Sequence, residues 1–100
     1  MIIEKKWAKR YSNSNEYGLY LCKVIGSLLQ TLRRENNGRL EYVSRQTDVD
    51  YRILEANELG RQKFHWFAAF RVLKYYGKAL EIKLVDATYE EETPEKISEN

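Results

Sequence analysis

The sequence predicts a mainly α-helical domain of four or five helices with a C-terminal β-strand, and three observations predict it. Leu21, Val24, Ile25, Leu28, Leu29 and Leu32 recur at the spacing of one helix face. Two shorter amphipathic stretches follow, each bounded by residues that start or stop helices. After Gly77 the pattern changes, with Leu80, Ile82 and Leu84 alternating with Glu81, Lys83 and Val85, which is the signature of a strand.

Each element can be justified in turn. Residues 1–15 form an N-terminal arm or short strand, ending in the turn-forming run Ser12-Asn13-Ser14-Asn15. Asn13, with Glu16 three positions later, can open the first helix as a variant of the capping box. Asn36-Asn37-Gly38 closes that helix with residues that tolerate a left-handed conformation. A second helix is predicted from Leu40 to Thr47, with Leu40, Val43, Ser44 and Thr47 on one face. Asp48-Val49-Asp50 interrupts it, and Asp50 is a good N-cap for a third helix from Tyr51 to Leu59. Gly60 stops the third helix, and Arg61-Gln62-Lys63 is a polar loop. A fourth helix runs from about Phe64 to Tyr76, with Phe67, Phe70, Val72, Leu73 and Tyr76 available for a core.

The domain thus spans residues 16–86 and ends in a strand over 79–85, while 87–100 reads as an acidic flexible tail carrying the only proline, Pro94. The chain has 100 residues, of which 43% are hydrophobic and 32% charged, and this suits one globular domain. No apolar run approaches a membrane span, and Met1 to Trp7 lack the apolar core of a signal peptide. A cytoplasmic, nucleoid-associated protein with no membrane partner is expected. The single Cys22 has no second cysteine to pair with.

Charge is distributed unevenly. Residues 1–86 carry 16 Lys/Arg against 10 Asp/Glu, a net of +6, and residues 87–100 carry Lys96 against five glutamates, a net of −4. A basic body suits a polyanionic ligand.

Three stretches resemble the Cro/cI-type (XRE) helix-turn-helix regulators: Leu28-Leu29-Gln30-Thr31-Leu32-Arg33-Arg34-Glu35, Leu40-Glu41-Tyr42-Val43-Ser44-Arg45-Gln46-Thr47, and Val49 through Glu58-Leu59-Gly60. The likeness covers Gly18 to Leu84. Arg33 fills the slot at the end of the first helix, Ser44 the small-residue slot of the second, and Glu58 with Gly60 the closing pattern of the third. The resemblance implies that Arg33 and Glu58 pair as a structural ion bridge. Asp48 stands where the inter-helix turn usually has glycine, and Asn57 where an apolar residue is usual. The passage from the fourth helix straight into a strand is similar to HipB-type antitoxins, in which that strand pairs across a two-fold axis.

The resemblance makes the third helix the reader of the major groove, where side chains at a helix N-terminal end meet base edges. Those positions are Tyr51 and Arg52, with Glu55 and Ala56 one turn on. Arg52 can grip a guanine bidentately, and Tyr51 can touch a thymine methyl or a phosphate. Phosphate contacts are expected from Arg39 and Arg45, and from Arg61, Gln62 and Lys63, on both flanks of that helix.

The expected strand also poses an energetic problem, because its backbone groups need a partner. Either the Ile2-Ile3 segment or the same strand of a second molecule can supply one. Strand exchange in a homodimer is favoured, with Leu80, Ile82 and Leu84 forming its apolar face and Tyr75 and Tyr76 beside it. Two-fold symmetry would set two reading helices about 34 Å apart.

No enzyme is expected. His65 and Cys22 are each the only residue of their kind, and no metal-ligand cluster, phosphate-cradling loop or nucleophile–base pair can be assembled. No cofactor or metal is implied. The expected function is sequence-specific binding of a palindromic double-stranded operator as a homodimeric repressor. The alternative is an antitoxin-like subunit whose main partner is another protein, such as a toxin.

Overall fold

The computed structural model describes residues 9–61 and 63–90. In chain order these form β1 (Lys9–Tyr11), α1 (Ser14–Glu35), α2 (Leu40–Thr47), α3 (Tyr51–Glu58), α4 (Trp66–Tyr75) and β2 (Ala87–Tyr89). The described residues are therefore mainly α-helical, with one two-stranded sheet. They fall into two units, one spanning Leu19–Glu81 and one comprising residues 9–18 with 82–90.

The larger unit is built on the face that the periodicity marks in α1. Ile25 and Leu29 are buried there, against Val43 of α2, Val49, Leu54 of α3, and Ala69, Val72 and Leu73 of α4. Cys22, on the same helix, is also buried. Helix α1 ends as its sequence directs. Asn37 takes a φ of 54°, and the Gly38 amide donates to the Arg33 carbonyl at 2.9 Å.

The turn between α2 and α3 is tight for identifiable reasons. Asp48 occupies the left-handed region at φ 59°, the conformation that glycine would take most cheaply. The Ser44 hydroxyl donates to the Val49 carbonyl at 2.5 Å, and the Arg71 guanidinium donates to the Asp48 carbonyl at 3.1 Å. Asp50 then caps α3, its Oδ1 accepting from the Arg52 amide at 2.7 Å.

Close approach between α1 and the end of α3 depends on Gly26. A Cβ added there would lie 2.2 Å from the Asn57 carbonyl oxygen, so only glycine fits. Asn57 itself is 1% exposed. Its side-chain amide donates to the His65 carbonyl and accepts from the His65 amide, both at 2.9 Å. A polar residue is thus accommodated at a buried position, where it ties the end of α3 to the residue that precedes α4. Arg33 and Glu58 pair in parallel at 2.7 and 2.8 Å, and Arg33 also donates to the Gly38 carbonyl at 3.1 Å. The hydrogen bond that Arg33 donates to the Glu58 carboxylate is the main cause that raises the Arg33 pKa above its ordinary value, with burial acting in the opposite sense.

Helix α4 corrects part of the expected core. Ala69, Val72, Leu73 and Tyr76 turn inward, at the i, i+3, i+4, i+7 spacing. Phe67 and Phe70 therefore lie on the other face and are exposed. The helix also starts at Trp66 instead of Phe64.

In the smaller unit, β1 and β2 pair in parallel with Lys9 beside Ala87, Arg10 beside Thr88 and Tyr11 beside Tyr89. The Tyr11 and Tyr89 rings lie 5.7 Å apart, and Tyr17 packs on both at 5.1 and 6.4 Å. This corrects the expected strand over 79–85, which has no regular structure. Pairing falls instead where aromatic side chains can cover the ladder, beyond the expected end of the domain at residue 86. The strand partner is Lys9–Tyr11, and the Ile2-Ile3 segment considered for that role lies outside the described residues. So do residues 91–100 of the expected tail, whose first three residues form β2.

Candidate nucleic-acid interface

Helix α3 divides cleanly into two sides. Leu54 and Asn57 are buried, while Tyr51, Arg52 and Glu55 are exposed and Ala56 is half-buried. The helix cannot rotate, because Leu54 is held in the core and Asn57 is held by His65. Three of the four expected reading positions therefore share a solvent-facing surface on a rigid element.

The flanking cations are placed as follows. Arg39 is exposed at the start of α2, where its backbone occupies the N-cap position without a side-chain cap. Arg45 is exposed on the same helix, its guanidinium 6.0 Å from the centre of the Tyr42 ring. Arg61 and Lys63 are exposed in the loop after α3, and Gln62, expected beside them, lies outside the described residues. From residue 59 to residue 80 the sequence has five cations (Arg61, Lys63, Arg71, Lys74 and Lys78) and no Asp or Glu. The exposed side of α3 is more mixed. Glu55 shares it, and the Asp50 carboxylate occupies the helix N-terminus that a phosphate would otherwise approach.

The expected dimer residues separate. Tyr76 and Leu80 pack against the core of the larger unit. Both are half-buried within that unit. Ile82 and Leu84 are exposed, Leu84 at 98%. Tyr75 is exposed on α4, where desolvation and a hydrogen bond with Tyr42 raise its pKa above 10.0.

Sequence reasoning missed two features of this unit. One is Arg71, whose hydrogen bond fastens α4 to the α2–α3 turn. The other is the aromatic surface of α4, which the sequence hides because its apolar positions outnumber those of one helix face.

Among the described residues no helix is long and apolar enough to cross a membrane, and no three His, Cys, Asp or Glu side chains gather as a metal site would require. No protein-family model, curated protein or solved structure matches the chain.

Proposed function

We propose that this chain is a Cro/cI-type helix-turn-helix regulator that binds a palindromic double-stranded operator as a homodimer and represses transcription. One observation carries the reading: Tyr51, Arg52 and Glu55 are presented outward by a short capped helix whose opposite side is locked into the core. Such rigidity is what base readout requires, because discrimination depends on side chains held in register with base edges. The short α2, the left-handed Asp48 and the Arg33–Glu58 bridge support the same family reading. In this reading Arg39, Arg45, Arg61 and Lys63 grip phosphates, and Ile82 and Leu84 supply the contact between copies. No catalysis, cofactor or metal enters.

The test is fluorescence anisotropy of the protein against its own upstream DNA over a range of salt. Specific binding that weakens steeply with salt supports the reading, since each phosphate contact adds close to one unit to the slope.

A second reading is favoured by the exposed aromatic side of α4. The chain would then be an antitoxin-like subunit occupied mainly by a partner protein, and failure to bind DNA at low salt would select it.

A further inference from the structure

Helix α4 exposes more aromatic surface than a helix packed on a core requires. Phe67 is 82% exposed, Phe70 46% and Trp66 36%. Their rings form a continuous chain with Phe64. Phe64 and Trp66 lie 4.6 Å apart, Trp66 and Phe70 6.4 Å, and Phe70 and Phe67 5.6 Å. The next turn of the same face is cationic, with Arg71 and Lys74. These two side chains line an open recess together with Gln46, Thr47 and Tyr75. The face thus runs from aromatic to positive along one helix.

We infer that this face is a docking surface for an acidic amphipathic segment of another protein. The segment's apolar side chains would cover Trp66, Phe67 and Phe70, and its carboxylates would lie against Arg71 and Lys74. Charge complementarity supports this occupant, because the stretch from residue 59 to residue 80 contains no acidic residue. The area supports it as well. The three exposed fractions amount to roughly 300 Å² of ring surface at about 200 Å² per aromatic residue. That is well short of the ~800 Å² per partner of a stable dimer. A second copy would also set cations against cations, since Lys63 precedes the aromatic patch and Arg71 and Lys74 follow it. A lipid surface fits less well, because a helix lying on a membrane carries its apolar stripe along its length with cations beside it. Here the two follow one another, and the opposite side of α4 is committed to the core.

The test is titration of the full chain with a short synthetic amphipathic peptide, leucine on one face and glutamate on the other, read by Trp fluorescence and by calorimetry. Phe67→Ser should weaken binding by about tenfold or more, as loss of an aromatic anchor does. Its side chain is almost fully exposed, so the fold should be unaffected. Lys74→Glu should weaken binding to the glutamate peptide and strengthen binding to the same peptide with lysine for glutamate. The inference is overturned if the peptide does not bind, or if Phe67→Ser and Lys74→Glu leave its affinity unchanged. It is equally overturned if the unmodified chain self-associates through Phe67, or if phosphatidylglycerol vesicles bind this face and the peptide does not. None of these outcomes depends on whether α3 binds DNA.

Discussion

Asn57 and His65 exchange two hydrogen bonds of 2.9 Å, so a fully buried amide serves as the clasp between the end of α3 and the start of α4. Asn57→Ala removes both bonds and leaves a cavity, and should cost about 2–4 kcal/mol. Asn57→Leu fills the space but strands the His65 amide, while the His65 carbonyl keeps the Ala69 amide at 3.1 Å, so the cost should be about 1–3 kcal/mol. Chemical denaturation measures both. A leucine variant more stable than the parent would show that the clasp contributes nothing.

The glycines of α1 should respond to alanine in opposite directions. At Gly26 the new Cβ would sit 2.2 Å from the Asn57 carbonyl oxygen and 3.0 Å from that of Glu58, which are backbone atoms. Separating α1 from the end of α3 should cost about 3 kcal/mol or more. At Gly18 nothing lies within 4 Å, so alanine should stabilise the helix by about 0.5–1 kcal/mol. Equal effects at the two positions would contradict the close approach.

The Tyr76 hydroxyl is buried without a hydrogen-bond partner among the described residues. Burial raises its pKa above 10.0, opposed by the charge of Arg33. Because the folded value lies above the unfolded one, its contribution to stability is complete below pH 10.0 and is lost as pH rises through the folded value. Tyr76→Phe should match or exceed the parent at neutral pH and lose stability less steeply above pH 10.0. Parallel alkaline slopes for the two proteins in urea denaturation would refute this.

The sequence was most legible where a local rule acts alone. Helix α2 starts and ends where the pattern predicts, and Asp50 and Asn37 take their expected places at helix ends. It was least legible where two faces compete. Helix α4 is apolar nearly all round, so only the packing of Ala69, Val72 and Leu73 decides that Phe67 and Phe70 point outward. The sheet of the single chain is hidden for a related reason. The alternation of Leu80, Ile82 and Leu84 is a genuine pattern, but Leu80 is taken up by the helical core. The ladder needed Tyr11 and Tyr89, residues far apart in sequence. The exposed positions of α3 were legible because its cap and its buried residues determine which side faces out.

If α3 reads DNA, Arg52 and Lys63 should have different signatures. Arg52→Ala should cost about 1–3 kcal/mol of specific affinity and relax discrimination at one base position. Lys63→Ala should weaken specific and non-specific binding alike and lower the salt slope by about one. Anisotropy titrations on operator and scrambled DNA separate the two. Identical behaviour of the two variants would place α3 away from the bases.

The proposed contact between copies can be tested without DNA. Residues 79–85 have no ladder partner among the described residues, and Ile82 and Leu84 stand in solvent within that stretch. Backbone donors and acceptors without a ladder partner invite pairing with an identical segment, and two exposed aliphatic side chains would then be covered. Ile82→Lys places a charge on that contact without touching a buried position, so the variant should remain folded by circular dichroism. In sedimentation at tens of micromolar the parent should be a dimer and the variant a monomer. The variant should also lose most specific DNA affinity, because a two-fold operator is held by both copies. A parent chain that sediments as a monomer would remove the dimer from the proposal. A variant that remains a dimer would move the contact away from residues 79–85.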